Sequence, residues 1–508
     1  MRISYFIVVA FMQLLFFKTT ISFAQRSASP NIILIFTDDL AYQAISAYGH
    51  GLNHTPNIDR IAKEGMLFER CVVTNSICGP SRATILTGKY SHSNGFYRNE
   101  RGDFDGSQQT FPKLLQQRGY QTAIIGKWHL GSQPTGFDHW EVMINQGSYY
   151  NADFISKDSQ TIAYGYSTDV VREKSVQWLD KQRDQSKPFL LLMQFKAPHR
   201  EWEPGPAHLN MYDDHVFPEP PTLFDNYSGR ASAAKNQKMS IAKDMVLEGD
   251  NKLYNDASRS NAKGRSYARM DEAQKRTWDS AYNPKNEIFY QSKLTGDDLT
   301  RWKYQRYLQD YMSVVASVDD NVGKLLDYLD KKHLSENTLV VFASDQGFYL
   351  GEHGWFDKRW MYEESFRTPM VARWPGKIKP GSINKDIVSN LDVAETFLEA
   401  AGVRIPADME GASLVPVLKG KTPTDWRKSF YYHYYEGGVH GVPEHEGVYM
   451  DSLKLISYYT LGEWEMFDLR RDPYEMHSVY NNPEYAAKQK RLEEELAILR
   501  KQLKVPAK

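Results

Sequence analysis

The sequence predicts an α/β fold in which helices cover a mainly parallel β-sheet, followed by a smaller C-terminal subdomain of antiparallel strands and one helix. Apolar runs of strand length rich in β-branched residues, such as Asn31–Thr37 and Thr338–Ser344, suit strands buried on both faces of a parallel sheet. Segments with helical start and stop signals lie between such runs. After about residue 420, short aromatic runs and a final Glu/Lys/Leu pattern predict the antiparallel sheet and its helix.

Each predicted element rests on a local signal. Thr55-Pro56 supplies a cap residue and a proline at the first helical position, and Gly65 ends the helix that they begin. By similar signals, strands are predicted at 66–73, 120–125, 189–195, 430–435, 447–450, 453–459 and 464–469, and helices at 111–118, 168–184, 299–330 and 483–503.

The same signals divide the chain into a large α/β domain at 25–420 and a C-terminal α+β subdomain at 421–508. Within the large domain, the stretch 222–287 is polar and lacks apolar periodicity. We therefore expect it to form a long insertion or a lid loop without regular secondary structure.

The first 24 residues have the features of an export signal. Arg2 precedes the apolar stretch Ile3–Phe17, and small residues occupy the two positions that signal peptidase reads, the second being Ala24. We predict a signal peptide at 1–24 and a periplasmic or secreted protein. A membrane anchor would need about 20 apolar residues, and Lys18 ends this run too early. No later segment is apolar enough to span a bilayer.

Charge and composition exclude several classes of protein. The chain has 62 Lys+Arg and 63 Asp+Glu, so its formal charge is 62 − 63 = −1. A nucleic-acid binder would need a basic footprint, which this balance does not provide. With 41% hydrophobic and 25% charged residues, the composition is that of a globular protein with ample material for a core.

Polar residues follow three predicted strands at the point where each strand ends. Asp38 and Asp39 follow the first strand, His199 lies just past the strand at 189–195, and Asp345 follows Thr338–Ser344. In open α/β sheets, ligands bind at the carboxyl ends of the strands. We therefore expect these side chains to share one site.

The chain has only two cysteines, Cys71 and Cys78, which is few for an exported protein. One interpretation is a disulfide that closes a short loop. The other is that one cysteine takes part in chemistry. Cys78-Gly-Pro-Ser-Arg82 opens a short predicted helix, and because a helix N-terminus favours an anion, this context supports a reactive residue at position 78.

The pattern C-x-P-S-R followed by A-x-x-L-T-G, at 78–88, resembles the signature of type I sulfatases. The resemblance implies an alkaline-phosphatase-like sheet sandwiched by helices and hydrolysis of sulfate monoesters. It also implies that a formylglycine-generating enzyme oxidises Cys78 to formylglycine (3-oxoalanine), whose hydrate is the nucleophile.

The resemblance further implies a metal site. Asp38, Asp39 and Asp345 match three acidic ligands of the family, and the modified residue at position 78 lies on the same ion. Gln346 stands where many sulfatases have Asn, which keeps a carbonyl oxygen on a longer side chain. Carboxylate and amide oxygens favour a hard cation, and the family implies Ca²⁺.

Three other segments resemble parts of the family's cationic pocket. Gly126–Gly131 matches G-K-W-H-x-G, and the segments 197–200 and 356–359 resemble those that supply a second histidine and a second lysine. The resemblance implies that these residues and Arg82 steady the nucleophile, bind the sulfate and transfer protons. The catalytic residues, besides Cys78, are thus Arg82, Lys127, His129, His199 and Lys358, of which Lys127, His199 and Lys358 also bind substrate.

A separate resemblance concerns the sugar. The runs 41–49 and 344–359 look like those of bacterial sulfatases that remove the 6-O-sulfate of N-acetylglucosamine from host glycans of the mucin or heparan type. Another carbohydrate sulfatase, such as an iduronate 2-sulfatase, is the alternative. The residues that we expect to contact the sugar are His353, Trp355, His440 and His445.

Two other classes of protein can be weighed against this interpretation. A phosphoesterase of the same superfamily would share the sheet and the aspartates, but it would place His where Gln346 stands and Thr or Ser at position 78. A non-catalytic binder of sulfated glycans, with Cys78 never modified, would bind sulfate and release no product.

Overall fold

A computed structural model describes residues 29–99, 102–254 and 266–507. The predicted signal peptide at 1–24 lies outside the described residues. Among the helices of the described part, none combines the length and the apolar character needed to cross a bilayer.

The strands form one large sheet and two small ones. In chain order the strands are β1 Asn31–Thr37, β2 Met66–Phe68, β3 Cys71–Val72, β4 Gln121–Lys127, β5 His139–Met143, β6 Tyr150–Ser156, β7 Gln160–Tyr166, β8 Phe189–Gln194, β9 Thr338–Ser344, β10 Arg367–Thr368, β11 Met370–Arg373, β12 Ser382–Asn384, β13 Val388–Ser389, β14 Ser429–Tyr434, β15 His445–Met450, β16 Leu453–Tyr458 and β17 Glu463–Asp468. The ten-stranded sheet has the order β12-β2-β11-β9-β1-β8-β4-β5-β6-β7. Its five central strands, β9 to β5 in that order, run parallel, so the predicted mainly parallel α/β sheet is confirmed.

Helices cover both faces of this sheet. The α-helices are α1 Pro56–Lys63, α2 Cys78–Thr87, α3 Ser91–Asn94, α4 Phe111–Gln117, α5 Ser167–Gln177, α6 Ser232–Asn236, α7 Ser266–Arg269, α8 Glu272–Ser292, α9 Gly296–Lys331, α10 Glu363–Phe366, α11 Val393–Ala400, α12 Val415–Leu418 and α13 Ala486–Gln502. A π-helical turn at Trp178–Gln182 extends α5, and short 3₁₀ helices lie at Tyr42–Ala44, Ser46–Tyr48, Ser335–Asn337, Glu352–Gly354, Asn390–Asp392, Val439–Gly441 and Pro483–Tyr485.

The alternation of side chains along β1 explains why its apolar run has no polar interruption. Ile33 and Ile35 pack into one core with α5 and α9, whereas Ile32 and Leu34 pack into the other with α4 and α11. Because both faces of the strand are covered, every position from Asn31 to Thr37 is buried.

The C-terminal subdomain is an antiparallel sheet of order β14-β15-β16-β17, with α13 packed on one face. Leu492 and Leu496 of α13 contact the same core as Tyr431 of β14 and Leu455 of β16. The predicted antiparallel sheet with a terminal helix is therefore confirmed.

The segment 222–287 differs from the expected loop. It contains α6, and α8 occupies its end and continues to Ser292. Asp271 caps α8 by accepting a hydrogen bond from the Gln274 amide, and Trp278 and Tyr282 are buried. The prediction of irregular structure was wrong here because α8 buries only a few residues on an otherwise polar helix, which leaves a weak periodic signal.

Candidate active site

The carboxyl ends of four parallel strands meet at one edge of the large sheet. Asp38 and Asp39 follow β1, Asp345 follows β9, Lys127 ends β4, and His199 lies five residues beyond the end of β8. The pairing of Thr37 with Ser344 fixes the register of β1 and β9. The next residues of these two strands are consequently neighbours at the sheet edge.

Three carboxylates converge at this edge. Asp38, Asp39 and Asp345 have no exposed surface, and one oxygen from each lies within 4.8 Å of the others. The backbone N–H of Asp39 donates to Oδ1 of Asp345 over 3.0 Å, and Asp39 has a φ of 65°. An aspartate tolerates this left-handed conformation better than most residues, and it turns the chain sharply away from β1.

Three cations face these carboxylates. Nη2 of Arg82 donates to Oδ2 of Asp345 at 3.0 Å, and Nζ of Lys358 donates to Oδ2 of Asp39 at 2.7 Å. Nζ of Lys127 donates to Oδ2 of Asp38. Arg82, Lys127 and Lys358 are all buried, so the charges attract each other in a medium that screens them weakly.

The environment shifts the three acid groups in different directions. Burial opposes ionisation of Asp38, but Lys127, His199 and Arg82 together hold its pKa well below the ordinary value. Burial raises the pKa of Asp39 to about 6 although Lys358 lowers it, and burial with the charge of Asp38 raises the pKa of Asp345. A further cation at this position would favour the ionised form of all three groups.

The oxygen atoms around this point fit such a cation. Oδ1 of Asp38 and Oε1 of Gln346 are buried and have no hydrogen-bond partner among the described residues. Gln346 donates through Nε2 to Asp39, which leaves its carbonyl oxygen available. Two unpartnered oxygens beside three clustered carboxylates form a donor set suited to a hard divalent ion such as Ca²⁺.

Cys78 is the first residue of α2 and is completely buried beside the carboxylates. Its Sγ lies within 4.8 Å of ligand atoms of Asp38 and His199, and 3.7 Å from Nε2 of Gln346. Cys71 and Cys78 are both free thiols, so the disulfide interpretation was wrong. Burial and the charge of Asp38 raise the pKa of the Cys78 thiol.

The residues after Cys78 hold the start of α2 in place through close contacts and hydrogen bonds. A Cβ atom at Gly79 would lie 2.7 Å from the ring of Phe96 and 2.8 Å from Oδ1 of Asn99. The Gly79 N–H donates to that same Asn99 oxygen, and the Ser81 hydroxyl donates to the backbone oxygen of Asp345 at 2.6 Å. The start of α2 is thus fixed against the end of β9, which positions Cys78.

His129 belongs to a chain of hydrogen bonds that includes Gln146. The Gln146 carbonyl accepts from Lys127, so its NH₂ group faces Nε2 of His129 at 3.0 Å. Nε2 of His129 therefore accepts, and the neutral imidazole carries its proton on Nδ1, which is buried and has no hydrogen-bond partner among the residues that the structure describes. Burial and the charge of Lys127 lower the pKa of His129, which favours this neutral form.

His199 has the opposite arrangement. Its Nδ1 lies 2.6 Å from the carbonyl oxygen of Arg200 and must donate to it, because a carbonyl oxygen can only accept. Its Nε2 lies 3.7 Å from Oδ2 of Asp39 and faces the carboxylate cluster. Burial and Lys127 lower the pKa of His199, so a proton placed on Nε2 would be readily given up.

The structure does not bring three of the four expected sugar contacts to this pocket. His353, Trp355 and His445 have no exposed surface. His353 pairs with Asp225 at 3.1 Å, and the rings of Trp360, Tyr432, Tyr434 and Tyr458 surround His445. We therefore replace the expectation of sugar contact by a packing role for these residues.

His440, the fourth residue, is partly exposed beside Lys358. Its Nε2 lies 3.5 Å from Oδ2 of Asp357, and Asp357 and Arg359 flank Lys358 with φ values of 81° and 93°. Nη1 of Arg359 lies 3.3 Å from Glu436, while its Nε is buried without a hydrogen-bond partner in the described part of the chain. Strained, charged residues next to a pocket are typical of a binding site.

Sequence reasoning missed four polar residues that support the pocket: Asn99, Gln146, Gln194 and Asp357. Gln194, whose Oε1 accepts from Nη1 of Arg82 at 2.6 Å, is the last residue of β8, so its place at a strand end was a usable signal. Asn99 and Gln146 lie in loops with no pattern around them, and only the fold shows what they contact.

Comparison with known proteins decides the family. The family model "Sulfatase" matches residues 30–403, which is more than half of the chain, and "N-sulphoglucosamine sulphohydrolase, C-terminal" matches residues 351–502. The chain belongs to the sulfatase family. The first match contains every residue of the pocket from Asp38 to Lys358.

This sulfatase is similar to characterised relatives over most of its length. It is 48% identical to N-acetylglucosamine-6-O-sulfatase of Bacteroides thetaiotaomicron, across 94% of this chain and 88% of the relative. It is 27% identical to N-acetylglucosamine-6-sulfatase of Capra hircus, across 81% of this chain and 67% of that protein.

Solved structures of two other proteins have the same fold as this chain. A complex of a sulfatase with its substrate D-glucosamine-2-N,6-O-disulfate superposes with a TM-score of 0.91 at 48% identity, covering 94% of this chain and 98% of that chain. Phosphonate monoester hydrolase of Agrobacterium radiobacter shares the fold at a TM-score of 0.65 and 20% identity, covering 93% of this chain and 96% of that one.

Proposed function

We propose that this sulfatase removes the 6-O-sulfate from N-acetylglucosamine residues of host glycans of the mucin or heparan type. The observation that carries the proposal is the convergence of Cys78 with three buried carboxylates and three buried cations at one sheet edge. The 48% identity to N-acetylglucosamine-6-O-sulfatase supports the choice of sugar. Because one solved relative is bound to D-glucosamine-2-N,6-O-disulfate, the N-sulfated sugar is a second candidate substrate.

The proposal includes a modified residue and a metal ion. Formylglycine made from Cys78 would supply, as its hydrate, an oxygen nucleophile for sulfur, and Ca²⁺ would supply positive charge next to it. The residues that would hold Ca²⁺ are Asp38, Asp39, Asp345 and Gln346, together with position 78. Their oxygen-only side chains suit this ion.

Charge neutralisation is the first task of the chain's own residues. A sulfate monoester is an anion, and the negative charge on its oxygens must be stabilised as the S–O bond to the sugar breaks. Lys127 and Lys358 bind the sulfate oxygens, and Arg82 holds Asp345 and the nucleophile in place. These cations are already fixed by buried carboxylates, so little reorganisation is needed when substrate binds.

Proton transfer is the second task. The oxygen of the departing sugar needs a proton, and His199, with Nδ1 held by the Arg200 carbonyl, can give one from Nε2; Lys358 is the other candidate donor. His129 takes a proton when sulfate is released. In the observed arrangement Nε2 of His129 accepts a hydrogen bond from Gln146. His129 must therefore break that hydrogen bond to take the proton on Nε2, or first lose the proton on Nδ1 to take it there.

We assign recognition of the sugar to the polar side chains next to Lys358, which are those of Asp357, Arg359 and His440. We expect His440→Ala to lower kcat/KM for the sugar sulfate about tenfold while a small aryl sulfate is hydrolysed normally, since one hydrogen bond to the sugar is lost. His445→Ala is the matched comparison. It removes a buried ring from the aromatic cluster, so it should lower the melting temperature and affect both substrates equally. Equal losses for His440→Ala on both substrates would contradict a role in sugar recognition.

Export and maturation complete the proposal. We propose a periplasmic or secreted enzyme whose signal peptide is removed near Ala24 and whose Cys78 is oxidised by a formylglycine-generating enzyme. Its partners are that enzyme and the sulfated glycan.

The test is the release of inorganic sulfate from N-acetylglucosamine 6-sulfate by protein co-expressed with a formylglycine-generating enzyme. We expect release from the wild type and none from Cys78→Ala. D-glucosamine-2-N,6-O-disulfate and iduronate 2-sulfate, tested in parallel, separate the candidate sugars. If mass analysis shows the aldehyde at position 78 and no sulfate ester is hydrolysed, the proposal is wrong. Binding of the sugar sulfate without hydrolysis would favour the non-catalytic binder.

A further inference from the structure

A second large cavity lies outside the candidate active site. Its volume is about 460 Å³, within the range of pockets that hold small ligands. It opens between the 3₁₀ helix Tyr42–Ala44, the end of α10, the β15–β16 hairpin and the loop that follows β17. None of the residues assigned to the sulfate pocket lines it.

Two arginines line this cavity without an acidic partner. In the described part of the chain, no carboxylate oxygen lies within 4.0 Å of Arg70 or Arg367, whereas the buried Arg230 and Arg373 and the partly buried Arg427 each have at least one acidic partner. Nε of Arg367 is buried and has no hydrogen-bond partner. An arginine that is not paired inside its own protein is available to an external anion.

Aromatic rings hold both guanidinium groups in place. The Arg367 guanidinium lies 4.0 Å from the centre of the Tyr42 ring, and that of Arg70 lies 5.5 Å from the centre of the Tyr449 ring. Arg70 also donates to the Ser452 hydroxyl at 3.2 Å. Both cations are therefore positioned before any ligand arrives, which lowers the entropy lost on binding.

The acidic residues of the cavity carry little uncompensated negative charge, so they oppose an anion only weakly. Glu363 is paired with Lys454 at 3.0 Å, so its charge is compensated. Burial raises the pKa of Glu352 to about 7, and burial and the charge of Glu352 raise the pKa of Glu364. Both carboxyl groups are therefore less readily ionised than ordinary glutamates, which reduces the negative charge that faces the two arginines.

The remaining lining groups suit a sugar. Tyr474 is 45% exposed at the rim, and its ring has no aromatic or cationic partner in the part of the chain that the structure describes. Oε1 of Gln43 is buried and unpartnered, so it can accept a hydrogen bond from a hydroxyl. Pockets that combine an aromatic surface with a few fixed polar groups are typical ligand sites.

We propose that this cavity is a second glycan-binding site, which holds an anionic saccharide residue through Arg70 and Arg367 with its ring packed on Tyr474. The assignment of a glycan rather than another anion rests on the function proposed above. The site would hold the polymer while the active site removes sulfate from one of its residues. Because it lies apart from Cys78, it is expected to affect polymeric and monosaccharide substrates differently.

Kinetics of the matured enzyme provide the first test. For Arg70→Gln and Tyr474→Ala we expect KM for a heparan-type polysaccharide to rise about tenfold, while kcat/KM for N-acetylglucosamine 6-sulfate stays within about twofold. Arg118→Gln and Tyr164→Ala, which change an exposed arginine and an exposed tyrosine elsewhere, are the matched controls and should change neither value. Unchanged KM for the polysaccharide in both test variants would overturn the proposal.

Equilibrium binding gives a test that does not depend on turnover. A sulfated heparan-type hexasaccharide is titrated into Cys78→Ala protein with and without Arg70→Gln, with its desulfated form and inorganic sulfate as separate arms. The proposal predicts that Arg70→Gln weakens the sulfated hexasaccharide about tenfold and that the desulfated form binds weakly to both proteins. Inorganic sulfate binding as tightly as the hexasaccharide would overturn the glycan assignment. An enzyme inactive on every sulfate ester would refute the proposed function and leave this binding result to decide the second site.

Discussion

Two buried acidic groups of this sulfatase, Asp38 at the edge of the large sheet and Glu465 in β17, have the same burial and opposite surroundings. Both are completely buried. Glu465 accepts hydrogen bonds at 2.7 Å from the hydroxyls of Tyr362 and Tyr458 and at 2.8 Å from the Ala231 amide, so both its oxygens are satisfied. In the described part of the chain, Oδ1 of Asp38 has no hydrogen-bond partner and lies next to two further carboxylates and an amide oxygen that also has none.

We infer that the difference separates an acid that stabilises the fold from one that can bind a ligand. A carboxylate whose oxygens are all bonded within the protein contributes to packing and has no capacity for a ligand. Several oxygens that stay unpartnered around one point carry a cost in stability that a bound cation can offset. Burial alone therefore does not identify an active site, whereas the unsatisfied and converging atoms do.

The largest effect is expected where that convergence is removed. Asp38→Asn keeps the size of the side chain but takes one charge from the cluster and from Lys127. We predict that kcat/KM for the sulfate ester falls about thousandfold, since charge stabilisation in the transition state is lost. Steady-state sulfate release measures this. Glu465→Gln, a matched change of a buried acid, should keep wild-type kcat/KM, and a comparable loss in that variant would remove the distinction between the two regions.

The structural acid should show the reverse pattern. Glu465→Ala leaves two tyrosine hydroxyls and one amide without an acceptor where the C-terminal subdomain meets the large domain. We predict a loss of about 3 kcal/mol in the free energy of unfolding, measured by denaturant titration, with unchanged kcat/KM of the folded enzyme. A stable variant with impaired catalysis would mean that Glu465 contributes to the reaction.

Gln146 gives a smaller effect that sharpens the account of the pocket. Gln146→Leu removes the acceptor for Lys127 and the donor for His129. We predict that kcat falls about tenfold with little change in KM, because the imidazole is no longer held in one tautomer. Gln146→Glu restores the acceptor for Lys127 and adds a negative charge beside His129. That charge should raise the pKa of His129, so the acidic limb of the pH profile of kcat should move to higher pH. A pH profile identical to the wild type would contradict this positioning role.

Glu395 is an intermediate case with the smallest expected effect on catalysis. One of its oxygens accepts from the Gly411 amide at 2.8 Å and the other is unpartnered, and burial raises its pKa from 4.5 to about 8. The folded protein therefore binds more protons than the unfolded chain between these pH values, so stability falls as pH rises from 4.5 to 8. The slope from this group is at most about 1.4 kcal/mol per pH unit.

Thermal unfolding of Glu395→Gln between pH 5 and pH 8 tests this expectation. The variant keeps the acceptor and cannot ionise, so its melting temperature should depend less on pH than that of the wild type. An equal dependence in both proteins would show that Glu395 is not the group that titrates. The unpartnered oxygen of Glu395 differs from that of Asp38, because it is in none of the possible metal-binding groups found among the described residues. We therefore expect Glu395 to titrate without binding a metal ion.

The sequence was sufficient for the residues whose positions follow from strand ends and from a motif. Asp38, Asp39 and Asp345 come directly after buried strands, and parallel strands place their carboxyl ends at one edge of the sheet. Cys78 and Arg82 come from a motif, and the hydrogen bond of the Ser81 hydroxyl to the backbone of Asp345 gives a structural reason for the serine of that motif.

The sequence was not sufficient for residues whose roles depend on contacts between distant loops. Gln146 and Asn99 lie in loops, and nothing in their local pattern shows that they reach His129 and the start of α2. His353 lies near Lys358 along the chain, but its ring faces an aromatic core, and the ring of His445 in β15 likewise packs against aromatic side chains. Proximity in sequence does not fix the direction of a side chain outside regular strands and helices.

We propose that the unsatisfied oxygens around Asp38 form a calcium site that sulfate hydrolysis requires. It is tested most directly by measuring sulfate release from N-acetylglucosamine 6-sulfate before chelation, after chelation and after addition of Ca²⁺, in matured wild type and in Asp38→Asn. We predict that the wild type loses activity on chelation and regains it with Ca²⁺, and that Asp38→Asn regains none. Full activity of the chelated wild type, or full restoration in Asp38→Asn, would contradict it.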